Sequence, residues 1–275
     1  MVRWRRATVA LALAAASGCT HVPSGPPRAE ELAITGARFR LEYLADDAAA
    51  AREVAHALEL AIPRVARWGG LATEVTVRIH PTHAELERAV GRDGYPWLHA
   101  WARFRSIDLQ SPSSWGLLDG GHARLAELVA HELTHCVMYQ RAGDEVTWMY
   151  QGIPRWFTEG LASVTAGQER QHGDIARLYR DYERRGGRAA LDAAEGDPLD
   201  ASEELYQGRS EEVYRAAHHA FAFLLARYGE ARVRGILDRM SRGERFPSAF
   251  RAAIGVGEPE FAAEFRRYVV WQGWR

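Results

Sequence analysis

Apolar side chains recur along this chain at strand spacing in its first half and at helix spacing almost throughout its second half. Phe39–Leu44 alternates apolar and polar residues, a pattern typical of a strand with one buried face. Glu74–His80 is rich in β-branched residues and predicts a second strand. The elements predicted before residue 120 are a strand at Phe39–Leu44, a helix from Asp46 to about Trp68, a strand at Glu74–His80, a helix from Pro81 to about Val90 and a strand at Trp101–Gln110.

Gly121–Arg141 predicts a long helix, and nearly every segment beyond Pro154 is also helical in pattern. The predicted helices of the second half are Pro154–Ala166, Ile175–Arg185, Glu211–Tyr228, Glu230–Ser241, Pro247–Ile254 and Glu258–Trp271. The predicted fold class is therefore α+β. Residues 31–141 form a mixed sheet with helices, residues 142–275 form an all-helical half, and together they make one domain, 31–275.

The N-terminus has the pattern of an export signal. Three arginines precede the apolar run Ala7–Ala16, which ends at Ser17-Gly18-Cys19 and is too short for a permanent membrane span. Ala-Ser-Gly-Cys resembles a bacterial lipobox, so residues 1–18 are predicted to be a lipoprotein signal, Cys19 the lipidated residue and 19–30 a proline-rich tether. The protein is then expected to be a membrane-anchored lipoprotein of the bacterial envelope, facing the periplasm; secretion without lipid is the alternative.

Composition and charge narrow the possible partners. The 275 residues are 47% hydrophobic and carry a formal net charge of −1, with both signs interspersed. Such a balance gives no basic patch for nucleic acid, so no nucleic-acid partner is expected. The oligomeric state is left open by the sequence.

His131-Glu132-Leu133-Thr134-His135 lies within the helix predicted at 121–141. Residues four apart share one helix face, so both imidazoles can bind one metal ion, with Glu132 beside them as a general base. A catalytic zinc site needs a third protein ligand, and the candidate is Glu159 in the helix that follows Pro154. Cys136 falls on the apolar side of the motif helix and is expected to be a buried residue, not a ligand.

These residues carry a family resemblance. His-Glu-x-x-His followed by Trp156-x-x-Glu159-Gly160-x-Ala162 resembles the gluzincin metallopeptidases, and Val213-Tyr214 resembles the membrane alanyl aminopeptidase segment whose tyrosine stabilises the transition state. The resemblance implies one Zn²⁺ per chain held by His131, His135 and Glu159, with Glu132 as general base and Tyr214 as oxyanion donor. It also implies that Ser163 orients a ligand histidine. His218 and His219 are alternatives to Tyr214 in the oxyanion role.

The chain also departs from that family. It lacks the Gly-x-Met-Glu-Asn run with which aminopeptidases hold a substrate's free N-terminus, although Ile107–Pro112 occupies the place expected for the edge strand. Endopeptidase activity is therefore as open as aminopeptidase activity. The expected function is zinc-dependent hydrolysis of peptide or protein substrates. The alternatives are a zinc amidase acting on peptidoglycan or a small molecule, and a non-catalytic binding or assembly lipoprotein with a structural metal site.

Overall fold

The computed structural model describes residues 22–116, 121–184, 199 and 203–273. The predicted signal and Cys19 lie outside these residues. The strands are β1 (Pro27–Ile34), β2 (Ala37–Leu44), β3 (Val75–His80), β4 (Ala100–Ala102) and β5 (Ser106–Gln110). The α-helices are α1 (Ala48–Ala66), α2 (His83–Val90), α3 (Gly121–Ala142), α4 (Arg155–Ala166), α5 (Glu169–His172), α6 (Ile175–Arg184), α7 (Glu203–Gly208), α8 (Ser210–Tyr228), α9 (Glu230–Met240), α10 (Phe246–Ile254) and α11 (Glu258–Gly273).

The strands form one mixed sheet in the order β1-β2-β3-β5-β4. β2, β3 and β5 run parallel, while β1 and β4 flank them in the antiparallel sense. Helices follow the sheet through the rest of the described chain, so the predicted α+β class with a helical second half is confirmed. No helix in the described ranges is long and apolar enough to cross a membrane.

β1 was not predicted, and it begins inside the stretch 19–30 assigned to a tether. β1 pairs with β2 along its whole length, from Pro27 opposite Leu44 to Ile34 opposite Ala37. The two-residue turn Thr35-Gly36 joins the strands, and both of its residues have positive φ. Most β1 side chains are exposed, so the strand lacks the apolar alternation by which a sequence reveals a half-buried strand. The last four residues of the predicted tether, 27–30, therefore belong to a strand of the sheet.

The single strand predicted at Trp101–Gln110 is wrong in its extent. The chain turns back after Ala102, so β4 and β5 form a hairpin with Trp101 opposite Asp108. Ile107–Leu109 therefore lies inside the sheet between β3 and β4, and the edge position expected for Ile107–Pro112 belongs to β4. A short turn without glycine or proline hid this reversal in the sequence.

α3 is the central helix of the molecule and contacts α1, β4 and α4. Its buried residues run from Leu125 to Ala142 and include both polar and apolar side chains. The histidine face is thus not open to solvent but covered by the helical half. A second, smaller apolar cluster joins α2 and the approach to β4 with α7 and α8; its buried members are Leu86, Val90, Tyr95, Leu98, Tyr206 and Val213.

Candidate metal centre

The motif helix presents its two histidines and Glu132 to one buried site. His131, Glu132 and His135 are each 6% exposed, and the two imidazole rings lie 4.9 Å apart. This is the arrangement expected for side chains one helical turn apart. The helix therefore contributes two nitrogen donors and one carboxylate to the same place.

Glu159 of α4 completes the donor set. Its Oε2 lies 3.2 Å from Nε2 of His131 and 3.5 Å from Nε2 of His135. Ligand atoms at zinc distances of 2.0–2.1 Å on a tetrahedron are separated by about 3.3 Å, so this spacing fits one zinc ion. The three side chains are also the one group of metal-competent donors found among the described residues.

Gln168 sets the orientation of His131. Its Oε1 accepts from Nδ1 of His131 at 2.9 Å, which leaves the Nε2 lone pair directed at the Glu159 carboxylate. A neutral imidazole in this tautomer and the Glu159 carboxylate both offer lone pairs, so a proton or a metal ion between them satisfies both. The sequence did not reveal Gln168, because it follows the left-handed Gly167 that ends α4, and only that turn brings it back to the site.

The predicted role of Ser163 is wrong. Its Oγ hydrogen bonds to Nε2 of His172 at 2.9 Å and to Nδ1 of His218 at 2.7 Å, not to a candidate ligand histidine. Burial lowers the pKa of His172 to about 3 and that of His218 to about 4. Ser163 therefore joins two neutral histidines in a hydrogen-bonded network, of which His172 lines the same cleft as His131.

The charges within the centre shift one another's pKa values. Burial raises the pKa of Glu159, but the two histidines outweigh it and hold that pKa far below its usual range. At His131, burial lowers the pKa, while the Glu159 and Glu132 carboxylates raise it more, so the net shift is upward. The carboxylates and the histidines thus stabilise each other's charged forms, and the Glu159 carboxylate stays ionised beside the histidine nitrogens.

Glu132 lies between the metal donors and the edge strand β4. Burial raises the pKa of Glu132 above the usual range. The two histidines and the Ala102 backbone amide act in the opposite direction and lower it by less. A carboxyl group with a raised pKa holds a proton more readily near neutral pH. The side chain is thus suited to accept and release a proton.

A cleft of about 440 Å³ opens onto the centre, lined among others by His131, Glu132, Ala100 and Tyr214. The ring centroid of Tyr214 is 6.2 Å from that of His131. Of the two rival residues, His218 bonds to Ser163, and Nε2 of His219 lies 3.1 Å from the carbonyl oxygen of Gly173. Tyr214 is the one of the three that lines the cleft.

Cys136 is completely buried, and its thiol lies 3.2 Å from the carbonyl oxygen of Arg103. The expectation that Cys136 is a buried residue is confirmed, and the candidate metal donors of the described chain are other side chains.

The approach of α4 to α8 explains the glycine after the ligand glutamate. A Cβ atom on Gly160 would lie 2.4 Å from the carbonyl oxygen of Ala217 and 2.6 Å from Cβ of Phe221. A glycine here lets the helix of Glu159 pack directly against the helix of Tyr214. The two residues can then serve one site.

No protein-family model matches this chain, and no curated protein matches it. Its structural neighbours include an M1 zinc metallopeptidase from Deinococcus radiodurans (17% identity, TM-score 0.46), with 89% of this chain and 51% of that chain covered. Another is an aminopeptidase N family protein from Idiomarina loihiensis (14% identity, TM-score 0.41), with 85% and 43% covered. The chain thus spans about half the length of these neighbours at low identity, and the function of the site rests on its own side chains.

Proposed function

We propose that this protein is a zinc-dependent metallopeptidase. The observation that carries the proposal is the buried triad His131, His135 and Glu159, whose donor atoms have the spacing of zinc ligands, with Glu132 beside them at the cleft. A purely structural zinc site is closed by four protein ligands and needs no general base. Three ligands, a base and an open cleft together favour catalysis.

Zinc bound here would supply Lewis acidity, which lowers the pKa of a coordinated water and polarises a substrate carbonyl. Glu132 takes the proton of the attacking water and later passes it to the leaving amine. Its burial and raised pKa suit both transfers. Gln168 keeps His131 in the tautomer that offers Nε2.

Tyr214 is placed to donate its hydroxyl proton to the oxygen that becomes negative in the transition state. Burial, followed by the Glu159 carboxylate, raises its pKa well above the usual range, so the hydroxyl stays protonated at neutral pH. Loss of one oxyanion donor typically slows hydrolysis by about 10²–10³. Tyr214→Phe should therefore retain zinc and keep a small residual activity.

The edge strand supports a peptide as substrate. Hydrogen bonds from Gln110 N to His99 O and from Arg103 N to Ser106 O fix the pairing of β4 with β5. In an antiparallel ladder the intervening residues, Ala100 and Ala102, turn their backbone groups away from β5. Ala100 lines the cleft, where an extended peptide can add a strand.

The test is hydrolysis by the full-length chain of a denatured protein mixture and of purified muropeptides, each with zinc and with a chelator, analysed by mass spectrometry. We expect new peptide termini that disappear with chelator and in Glu132→Gln, which should still bind one zinc. If only the muropeptides were hydrolysed, the substrate would be peptidoglycan and not a peptide or protein. Absence of zinc in the parent protein would refute the metal centre itself.

We further propose that the enzyme acts in the bacterial envelope, held there by lipid on Cys19. The support is the arginine-flanked apolar run that ends at Ser17-Gly18-Cys19. Cells given labelled palmitate should incorporate label into the parent protein and not into Cys19→Ser. Label in neither protein would favour secretion without a lipid anchor.

A further inference from the structure

A second tyrosine lies directly behind Tyr214. The hydroxyl of Tyr206, in α7, is 2.8 Å from the hydroxyl of Tyr214, in α8. Tyr214 lines the cleft, whereas Tyr206 is only 3% exposed and does not line it. The pair therefore runs from the protein interior to the metal centre.

Each phenol has one proton, so the direction of this hydrogen bond matters. If Tyr214 donated to Tyr206, it would have no proton left for the cleft. If Tyr206 donates instead, the proton of Tyr214 is free to point toward the substrate. Among the described residues, no other hydrogen bond reaches the Tyr206 hydroxyl, so donation to Tyr214 satisfies its buried proton.

The ring of Tyr206 is held from two sides. Trp97 packs edge-on at 5.0 Å between ring centroids, and the guanidinium carbon of Arg155 lies 4.0 Å over the ring. Glu203 fixes Arg155 through a 2.8 Å ion pair. A cation on the ring face withdraws electron density from the phenol and so strengthens its hydroxyl as a donor.

We propose that Tyr206 is a positioning residue: its hydroxyl donates to Oη of Tyr214 and thereby directs the Tyr214 proton to the oxygen that becomes negative during hydrolysis. This rests on the proposed function, because it assigns Tyr206 a part in the same reaction. Chained hydroxyls also polarise one another, which makes Tyr214 a stronger donor than a lone phenol.

Tyr206→Phe in the full-length zinc-loaded protein removes the hydroxyl but keeps the ring against Trp97 and Arg155. We expect kcat to fall about tenfold, the effect of one neutral hydrogen bond, with KM and zinc content unchanged. Tyr150→Phe is the matched control, because Tyr150 is 69% exposed. The double variant Tyr206→Phe/Tyr214→Phe should be no slower than Tyr214→Phe alone.

The proposal would be overturned if the kcat of the double variant fell by the product of the two single losses. It would also be overturned if Tyr206→Phe were as fast as the parent. A merely structural role for Tyr206 predicts such multiplication together with a lower Tm, since it would not act through Tyr214.

A second readout needs no activity. The metal-free protein is labelled with 3-fluorotyrosine, and its fluorine spectrum is compared with that of Tyr214→Phe. The resonance that the variant lacks belongs to Tyr214. That resonance should move in Tyr206→Phe and stay in place in Tyr150→Phe, and an unmoved resonance would overturn the proposal. If the parent hydrolyses no peptide, the proposed function fails, and the resonance still tests whether the two hydroxyls are hydrogen bonded.

Discussion

Replacing Gly160 with alanine should separate the two helices that carry Glu159 and Tyr214. The added Cβ would lie 2.4 Å from a backbone carbonyl oxygen of α8 and 2.6 Å from Cβ of Phe221. Favourable contacts between nonbonded heavy atoms are about 3.5–4.0 Å, so α4 and α8 must part by roughly 1 Å. A helix carbonyl cannot rotate away as a flexible side chain can.

The net effect is a difference between two terms. Overpacking of this kind costs about 1–3 kcal/mol, and the rigid carbonyl favours the upper end. Alanine regains up to about 1 kcal/mol of helix propensity over glycine. We therefore expect a loss of about 2 kcal/mol in the free energy of unfolding, which lowers Tm by roughly 4–8 °C for a domain of this size.

Gly235→Ala is the matched control. It lies in helix α9, and its Cβ would meet Cβ of Ala253 at 3.7 Å, an ordinary contact. In this control no clash opposes the higher helix propensity of alanine, so the free energy of unfolding should rise by about 0.5–1 kcal/mol. Tm should then rise by roughly 1–4 °C. Thermal unfolding followed by circular dichroism measures both variants.

The two variants should also differ in activity. Gly160→Ala should lower kcat because it moves Glu159 away from Tyr214, whereas Gly235→Ala should match the parent. A Gly160→Ala protein that is as stable and as active as the control would refute the close helix approach on which the site depends.

Three further changes follow from the same structure. Gln168→Ala should weaken zinc binding by about 10–100-fold, because His131 loses the partner that orients it. The control Gln171→Ala should bind zinc as the parent does. Competition with a fluorescent chelator measures both affinities, and equal affinities would contradict the role of Gln168. His172 has its pKa lowered to about 3, so its stabilising contribution is complete above about pH 6.5 and is lost as the pH falls toward 3. Urea unfolding measures how much the free energy of unfolding falls between pH 7.5 and pH 5.0. This fall should be smaller in His172→Gln than in the parent by roughly 2 kcal/mol at most, and an equal fall in both proteins would contradict the role of His172. Burial, followed by the Glu132 carboxylate, raises the pKa of Cys136 well above its usual range, so in a Cys19→Ser protein a disulfide reagent should label Cys136 only after unfolding.

Much of the helical architecture is predictable because helices are encoded locally. α6, α8, α9, α10 and α11 lie within two residues of the helices predicted from apolar spacing. The i, i+4 spacing of His131 and His135 places both on one face of α3 without any tertiary information. Glu159 was proposed as the third ligand that a zinc site needs, and Tyr214 by resemblance. The structure groups Glu159 with both histidines, and Tyr214 lines the cleft together with His131.

The errors occur where neighbours in space, not in sequence, decide the outcome. β1 is a strand because β2 satisfies its backbone, although its side chains are mostly exposed. β4 and β5 form a hairpin because their backbones pair with each other, a contact that the residues of the turn do not announce. Ser163 bonds to His172 and not to a ligand histidine, since the end of α4 brings Gln168 to that position instead.

The sequence by itself determined the helices, the pair of histidines with their base, and the kind of metal chemistry to expect, because spacing along one helix fixes those relations. Only the tertiary structure decided that Glu159 meets both histidines and which further groups surround the site. Glu159 reaches the histidines because α4 packs against α3, and Gly160 lets α8 with Tyr214 approach α4. Tyr206 reaches Tyr214 because α7 folds against α8. Such contacts depend on how elements pack, which the periodicity of a single chain does not encode.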